Sequence, residues 1–394
     1  MIRSTLAHVD LGALADNFRS IRAFVAGRRG AMGSAPTALA GTAMGSDPMA
    51  PEVIGVVKAN AYGHGAPAVA RALEAAGASM VACADIEEAI TLREAGVGCR
   101  ILVFGALSLS VLDGLFDYDL VPTISTPTAG LEVQRAAARR GVRLRYHLKI
   151  DTGMNRLGFR HDNLRRTIPP LLAAPSLALE AVYTHFATAE APGDGLFATQ
   201  RRNFETARQT LAEIGIGPHR LHAANSAALL ADQSVWFDMV RPGLLLYGVA
   251  PAALAGRLAL TPVMSLRSRI VAVKGVRAGE TIGYGARFRA KRPMAMAVVP
   301  AGYADGLDAR LAGRMSALVR GRRAPIVGSV CMDMIMIDVT GMTVEPGDEV
   351  VFIGRQGDEG ITVAEMADRI GTIPYELLCR VGTRIERIYN HVGR

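Results

Sequence analysis

Between residues 53 and 240 the chain alternates short apolar segments of strand character with connections long enough for a helix. The eight strand-like segments cover residues 53–57, 80–83, 101–104, 120–123, 144–150, 179–184, 220–223 and 237–240. Regular alternation of strands and helices is typical of a parallel sheet with helices packed outside it. Eight such units predict a (β/α)8 TIM-type barrel, and the alternative, a doubly wound open sheet, reaches eight units less naturally.

The pattern changes after the eighth strand. From residue 261, β-rich runs at 263–273, 295–300, 317–319, 335–339 and 350–353 alternate with Gly, Pro and Asp turns, and one helix is predicted near 362–370. We therefore predict a barrel domain over residues 1–250 and a smaller, mostly β-strand C-terminal domain over residues 251–394.

The start of the chain departs from the barrel pattern. A first strand at 7–10 precedes an amphipathic helix from 11 to about 26, which Asp10 is placed to cap. This strand is a candidate to pair with the C-terminal domain. Residues 27–51 are rich in Gly, Ala, Ser, Met and Pro and show no hydrophobic period, so we expect a mobile surface insertion and assign it no function.

Composition excludes several classes of protein. The net charge of +8 is scattered over short arginine runs, without a basic helix interleaved with aromatic residues, so nucleic acid is not an expected partner. The cysteines are far apart and lack metal-ligand spacing, so we expect no metal site; they are Cys83, Cys99, Cys331 and Cys379. No signal-like or bilayer-length apolar segment is present, and we expect a cytoplasmic protein without a membrane partner.

Lys58 follows directly after the first barrel strand and precedes a turn that contains Gly63 and Gly65. An ammonium at the end of a buried strand is poorly hydrated, which lowers its pKa and frees the amine as a nucleophile or base. Such lysines form Schiff bases with carbonyl compounds, including pyridoxal phosphate. Taken alone, a lysine here is more often one that extends to solvent, so its significance depends on what else lies at this end of the barrel.

Polar residues follow several of the other strands, at the end where barrel enzymes carry their catalytic groups. These residues are Lys149, Asp151, Arg156, His185, Asn225, Ser226 and Arg241. Gly243 and the Asn225–Ser226 turn offer backbone N–H groups and a hydroxyl, which suit a phosphate, and Tyr62 adds a phenolic donor. Arg241 has donors only, so a pyridine nitrogen facing it would stay unprotonated and act as a weaker electron sink. That disfavours transamination at a cost in rate.

Several motifs together resemble those of the alanine racemases, which are fold-type III pyridoxal-phosphate enzymes. The resemblance covers nearly the whole chain apart from residues 27–51. It is carried by residues 57–65 (VKANAYGHG), 149–158, 185–187, 225–226, 241–243, 301–306 (AGYADG) and 331–333, together with Tyr284 and Tyr375.

The resemblance implies a role for each matching position. Lys58 would bear pyridoxal 5'-phosphate and act as one of two bases, and Tyr284 of the partner subunit in a homodimer would be the other. Arg241 would face the pyridine nitrogen, with His185 linking it to that tyrosine. The cofactor phosphate would be held by Tyr62, Ser226, Gly243, Leu244 and Tyr375, and Asn225 is a further candidate for binding the cofactor. Arg156 would hold the cofactor phenolic oxygen and the substrate carboxylate, the partner's Met332 would meet the same carboxylate, and Lys149 matches a lysine that is carbamylated in family members.

The expected activity is therefore the interconversion of L-alanine and D-alanine, either supplying D-alanine for peptidoglycan or degrading it. A non-catalytic pyridoxal-phosphate carrier would lack the C-terminal domain that contains Tyr284 and Met332. A decarboxylase of the same fold type places a carboxylate at the pyridine nitrogen, where this chain has Arg241. A racemase that also accepts serine or other amino acids stays open, because the sequence gives no pocket size.

Overall fold

The computed structural model describes residues 4–31, 50–217 and 219–390. In chain order the strands are β1 Leu6–Asp10, β2 Glu52–Val53, β3 Gly55–Val56, β4 Met80–Cys83, β5 Arg100–Val103, β6 Val121–Ile124, β7 Leu144–Asp151, β8 Phe159–Arg160, β9 Leu177–Tyr183, β10 Arg220–Asn225, β11 Met239–Arg241, β12 Met264–Arg269, β13 Ala272–Val276, β14 Thr281–Ile282, β15 Phe288–Arg289, β16 Met294–Val299, β17 Ser316–Val319, β18 Arg322–Val327, β19 Ile335–Asp338, β20 Glu349–Gln356, β21 Glu359–Ile361 and β22 Glu386–Asn390. The helices are α1 Leu11–Ala31, α2 Lys58–Tyr62, α3 Ala66–Ala75, α4 Ile86–Glu94, α5 Asp113–Asp117, α6 Pro127–Arg139, α7 Leu164–Thr167, α8 Pro169–Leu172, α9 Leu196–Glu213, α10 Ser226–Ala231, α11 Val363–Ile370 and α12 Pro374–Cys379.

The first sheet is parallel and runs in the order β2-β11-β10-β9-β7-β6-β5-β4-β3, with β8 added beside β7. Strands β2 and β3 are two halves of one predicted strand, interrupted at Ile54. The first half pairs with β11 and the second half pairs with β4. The eight predicted strands therefore close into a barrel, and the predicted fold class is confirmed.

The barrel interior is apolar on one side and polar on the other. A compact cluster of buried side chains fills the apolar side and comprises Ile54, Met80, Ala82, Leu102, Val121, Ala181 and Met239. The polar side chains come from the later strands, and they include His147, Lys149, His222 and Arg241, all buried. Buried polar groups of this kind are costly unless they are hydrogen-bonded, so the polar side marks the functional half of the barrel.

The second sheet is built from the C-terminal part of the chain, in the order β13-β16-β19-β18-β17-β20-β12-β1-β22. Strand β1 belongs to this sheet and pairs antiparallel with β12 and parallel with β22. Asp10 caps α1 by accepting the Ala13 N–H at 2.9 Å, and Thr362 caps α11 by accepting the Glu365 N–H at 3.0 Å. The first strand and the helix that follows it therefore connect the two sheets.

Some boundaries differ from those predicted. Helix α1 continues to Ala31, so the start of the predicted 27–51 insertion is helical, and residues 32–49 lie outside the described part of the chain. Strands β18 and β22 and helix α12 were missed. The arginines and proline of β18 and the charged start of β22 obscure the strand pattern in the sequence. In the structure β18 pairs with β17, and β22 pairs with β1. None of the helices in the described ranges combines the length and apolar character needed to cross a bilayer.

Candidate active site

Lys58 begins a turn that winds in the left-handed sense. The φ angles of Ala59, Asn60, Ala61 and Tyr62 lie between 52° and 54°. A left-handed conformation costs about 1–2 kcal/mol per residue for side chains other than glycine. Four such residues in succession persist only where surrounding contacts impose them, and such strain is typical of functional sites.

Three side chains hold this turn. Glu88 Oε1 accepts the Ala59 N–H at 2.7 Å, one residue after Lys58. The Asn60 carboxamide oxygen accepts the Ala66 N–H at 2.8 Å, which joins the turn to α3. The His64 ring nitrogen Nδ1 lies 3.0 Å and 2.9 Å from the carbonyl oxygens of Ala61 and Tyr62. The turn is thus fixed from both sides, and Lys58 is fixed with it.

The surroundings of Lys58 favour a neutral amine. Burial lowers the pKa of its ammonium, and the nearby Arg156 guanidinium lowers it further, whereas Cys379 and Glu88 act in the opposite direction. Desolvation beside a second cation is a recognised means of preparing a lysine as a nucleophile or base.

Arg241 lies at the end of the last barrel strand and is 3% exposed. Its Nη2 donates to the carbonyl oxygens of Thr184 at 2.8 Å and Ala223 at 3.0 Å. The same nitrogen lies 3.3 Å from His185 Nδ1, and Nη1 lies 2.9 Å from His222 Nδ1. Burial lowers the pKa of Arg241 to about 10, so the guanidinium is still a cation at neutral pH.

His185 is held in one tautomer by this arrangement. Burial, followed by the charge of Arg241, keeps the pKa of His185 well below its ordinary value, so the ring is neutral. Since Arg241 only donates, His185 Nδ1 accepts, and the single ring proton resides on Nε2. His185 therefore presents an N–H donor on its side away from Arg241.

A short loop after β7 presents Arg156. Asp151 Oδ1 accepts the N–H groups of Gly153 and Met154 at 3.0 Å and that of Asn155 at 3.1 Å. This carboxylate closes the loop and brings Arg156 close enough to influence Lys58 and other groups of the site.

Lys149 lies on β7 inside the barrel and is 6% exposed. Burial lowers its pKa to about 7, with Arg241 and Arg156 adding to the shift and Asp151 opposing it. Its Nζ lies 4.8 Å from the centroid of the Tyr183 ring. A substantial fraction of this amine is therefore neutral at physiological pH.

Donors converge at the adjoining ends of β10 and β11. The buried Ser226 hydroxyl accepts the Gly243 N–H at 2.9 Å, and Leu244 follows Gly243 at the start of a short 3-10 turn. A Cβ placed on Gly243 would approach the Tyr62 hydroxyl oxygen to 2.4 Å, so only glycine allows this close approach. Burial raises the pKa of Tyr62, which keeps its phenol protonated as a donor.

Asn225 and Tyr375 border the same region. Asn225 Oδ1 accepts the Ala228 N–H at 2.9 Å and thereby caps the helix that Ser226 begins. The Tyr375 ring centroid lies 5.8 Å from that of Tyr62, and burial raises its pKa as well. Together with Ser226 and Gly243 these residues form a small cradle of backbone and hydroxyl groups.

Tyr284 and Met332 are placed elsewhere. The Tyr284 side chain is 78% exposed and that of Met332 is 52% exposed. Both line an open groove of about 1670 Å³ on the second sheet. Within the described residues no hydrogen bond or ring contact joins either of them to Lys58. One chain therefore assembles the predicted barrel residues and leaves these two facing outward.

Sequence reasoning missed four residues that shape the site: His64, Glu88, Tyr183 and His222. Tyr183 stacks on His222 at 4.4 Å between ring centroids, and His222 is one of the partners of Arg241. A polar residue within an otherwise apolar barrel strand was the available signal for His222. Glu88 gave none, because an acidic residue in the first turn of a helix is ordinary.

Comparison with known proteins identifies the family. Residues 42–251 match the model of the alanine racemase N-terminal domain, and residues 263–389 match that of the C-terminal domain. The alanine racemase of Carboxydothermus hydrogenoformans is 42% identical over 341 residues, which span 86% of this chain and 92% of the relative.

Solved structures agree over the whole chain. The alanine racemase of Bacillus anthracis with bound L-Ala-P superposes with a TM-score of 0.87 at 36% identity, covering 100% of this chain and 97% of that one. The alanine racemase of Bartonella henselae with covalently bound pyridoxal phosphate gives 0.82 at 26% identity, covering 99% and 100%. The resemblance read from the sequence motifs is thus confirmed, and this chain belongs to the alanine racemase family of amino-acid isomerases.

Proposed function

We propose that this racemase uses pyridoxal 5'-phosphate and two bases, Lys58 and Tyr284 of the partner subunit, to interconvert the alanine enantiomers. The observation that carries the proposal is the fully formed Arg241 site, in which a buried cation is held by two carbonyls and two imidazoles. A donor fixed in this way suits a pyridine nitrogen that must accept a hydrogen bond.

The residues present fit the cofactor. The residues proposed to hold the phosphate lie together around Gly243, where a Cβ would meet the Tyr62 hydroxyl. They are Tyr62, Asn225, Ser226, Gly243, Leu244 and Tyr375, and the Gly243 N–H, which donates to the Ser226 hydroxyl oxygen, would turn to the phosphate. Lys58 has the lowered pKa of an amine that condenses with an aldehyde. A solved relative carries the cofactor covalently bound, which supports Lys58 as the point of attachment here.

When bound, the cofactor draws electrons from the substrate α-carbon and makes its hydrogen acidic. Lys58 is suited to remove or return a proton on one face of that carbon, because burial and the nearby Arg156 lower the pKa of its ammonium. Arg156 is suited to bind the substrate carboxylate and so to orient the α-hydrogen toward the base. The partner's Met332 is assigned to the same carboxylate.

The second face needs a base that Lys58 cannot reach without crossing the plane of the substrate. Tyr284 is too exposed for a core residue, and an exposed aromatic side chain on a groove is typical of an interface. We propose that the groove packs on a second copy of the chain, so that each site takes Lys58 from one subunit and Tyr284 from the other. His185 carries its Nε2–H on the side of the ring away from Arg241, and donation from it would stabilise the phenolate of the partner's Tyr284.

Lys149 is proposed to be carbamylated. Its neutral amine can attack carbon dioxide, forming the N–C bond and releasing one proton to leave a carbamate anion. This anion would lie among the cations Arg156, Arg241 and Lys58, whose charges it offsets. A negative group beside Arg156 would hold that guanidinium in place for the substrate.

A cytoplasmic role in supplying D-alanine for peptidoglycan or in degrading D-alanine is part of the same proposal. The activity is tested by racemisation assays with alanine and serine side by side, in wild type and Lys58→Ala. We expect conversion of alanine in both directions, a visible absorbance that borohydride removes, and neither signal in the variant. A Lys58→Ala protein that racemises alanine at the wild-type rate would contradict the assignment.

A further inference from the structure

Glu180 lies at the end of the barrel opposite Lys58, at an irregularity in β9. The pairing of β7 with β9 matches Tyr146 to Leu179 and His147 to Ala181, so Glu180 is an extra residue in its strand. Such β-bulges redirect a side chain and are treated as functional features of a sheet. The Glu180 carboxylate pairs with Arg100 of β5, a strand that is not adjacent to β9, and its side chain is 16% exposed.

The amino-terminal end of the barrel strands, where Glu180 lies, carries side chains of both charges. Arg100, Arg220 and Glu52 are the first residues of their parallel strands, and Arg220 pairs with Glu52. Lys58 and Arg241 lie at the other, carboxyl-terminal end of the strands. A line from Arg241 to Glu180 therefore runs along the interior of the barrel.

Two histidines, His222 and His147, lie along that line, and Arg241 contacts the first of them. Arg241 Nη1 can only donate, so His222 Nδ1, at 2.9 Å, accepts. Burial and then Arg241 hold the pKa of His222 well below its ordinary value, so the ring is neutral and its proton is on Nε2. Stacking on Tyr183, with an interplanar angle of 9°, fixes the plane of this ring.

His147 lies next to His222 and continues the chain of hydrogen bonds from Arg241 toward Glu180. His222 Nε2 lies 3.0 Å from His147 Nδ1, and because His222 donates, His147 Nδ1 accepts. Burial lowers the pKa of His147, which leaves one ring proton on Nε2. That nitrogen has no hydrogen-bond partner within the described residues, and its nearest acid is Glu180, with Oε2 at 3.7 Å.

We propose that Glu180 is a positioning residue for this active site, which acts through His147 and His222 to fix the protons that hold the Arg241 guanidinium. Besides Glu180, the charged groups acting on His147 are the cations Arg100 and Arg220, and His222 faces the Arg241 guanidinium. Glu180 supplies the negative charge that aligns both imidazoles with their N–H groups away from Arg241. The benefit to catalysis rests on the proposed function, since it requires Arg241 to face the cofactor.

The test is 15N NMR of histidine-labelled holoprotein, in which a protonated and an unprotonated ring nitrogen have separate shifts. Wild type is expected to show His147 and His222 with unprotonated Nδ1 and protonated Nε2. In Glu180→Gln an amide N–H can face His147 Nε2, so the signals of both histidines are expected to shift. Glu52→Gln is the matched control, because it removes a carboxylate from the same end of the barrel that reaches the two histidines only through Arg220, and it should shift both signals less than Glu180→Gln does.

The NMR signals test the role of Glu180 directly, without an activity measurement. A wild-type His222 protonated on Nδ1, or equal shifts from the two glutamate variants, overturns the proposal. If Glu180→Gln folds poorly, two variants of His147 test the same chain of hydrogen bonds. His147→Asn keeps an oxygen that can accept from His222 and should preserve its signal, whereas His147→Leu should move it; equal movement in both overturns the proposal.

A label on the cofactor separates this inference from the proposed function. With a 15N pyridine nitrogen, Glu180→Gln should shift the cofactor signal along with those of the histidines. Shifted histidines beside an unmoved pyridine signal would support the action of Glu180 on Arg241 and overturn the placement of Arg241 at the cofactor.

Discussion

The His64 imidazole donates from Nδ1 to the carbonyl oxygen of Tyr62 at 2.9 Å, inside the left-handed turn that follows Lys58. Carbonyls only accept, so Nδ1 carries the proton of this buried ring, which also packs against Tyr247 at 4.4 Å between centroids. Tyr247 in turn donates to the Val56 carbonyl at 2.9 Å, in the strand that ends beside Lys58. The strained turn and Lys58 thus share one support.

Two substitutions of His64 should distinguish the contribution of its N–H donor from that of its packing volume. His64→Asn places an amide N–H close to the position of Nδ1, whereas His64→Leu leaves the carbonyl oxygens of Ala61 and Tyr62 without it. We expect His64→Leu to lower the free energy of unfolding by about 1–3 kcal/mol and to weaken cofactor retention, with His64→Asn nearer to wild type. Urea unfolding and cofactor release measure the two effects, and equal losses in both variants would contradict the role of the donor.

The same residue should contribute to acid sensitivity. Burial lowers the pKa of His64 from 6.5 to about 4. Between these pH values the unfolded chain binds a proton that the folded protein excludes, so stability falls as the pH drops from 6.5 to 4. The full pKa difference corresponds to a change of about 3 kcal/mol in the free energy of unfolding. The difference in unfolding free energy between wild type and His64→Asn should vary with pH in this window and be constant above it; a difference that is independent of pH throughout would refute the shift.

Gly243→Ala should damage the proposed phosphate cradle. Its Cβ would lie 2.4 Å from the Tyr62 hydroxyl oxygen, and relief of such overpacking costs about 1–3 kcal/mol. We expect weaker cofactor binding, measured by titration of the apoprotein. Gly217→Ala is the control, because nothing lies within 4 Å of that Cβ, and adding Tyr62→Phe should recover part of the fold stability. Unaltered cofactor affinity in Gly243→Ala would argue against this cradle.

Carbamylation of Lys149 should be visible by 13C NMR under labelled bicarbonate. The lysines of the chain are Lys58, Lys149, Lys274 and Lys291. Because the Lys149 pKa is lowered to about 7, its neutral fraction grows as the pH rises through 7, and the carbamate signal should grow with it. Lys149→Arg should abolish the signal and Lys274→Arg should retain it. A signal that survives in Lys149→Arg would assign the carbamate elsewhere.

Tyr284→Phe should reveal the two bases. Racemisation has an equilibrium constant of one, so the variant must slow both directions equally. Exchange of the α-hydrogen with deuterated solvent need not be symmetric, and the family's assignment predicts that exchange of D-alanine through Lys58 survives while that of L-alanine is lost. Unchanged exchange of L-alanine would contradict the assignment of Tyr284 as the second base.

Mixing two inactive variants should show whether the sites are shared. A dimer of one Lys58→Ala subunit and one Tyr284→Phe subunit contains one site with both residues intact. Random exchange of subunits at equal amounts should therefore restore about a quarter of wild-type activity. Native mass spectrometry verifies the exchange, and no recovery in verified mixed dimers would mean that each site lies within one chain.

The amino-acid sequence by itself determined the barrel, the mostly β second part and the residues that follow the barrel strands. These features follow from local rules, since strand and helix periodicities and the position of a polar residue at a strand end are readable without long-range contacts. The motif around Lys58 was specific enough to indicate the family, and its match to the domain models agrees.

Only the tertiary structure decided how those residues are held. The left-handed turn at Ala59 to Tyr62 goes against the backbone preference of alanine and tyrosine, and Glu88 and His64 impose it from a neighbouring helix and from within the turn. Likewise, the proton positions on His222 follow from its contact with Arg241, at 2.9 Å but 19 residues away. Such features depend on the closure of the barrel, which no local pattern encodes.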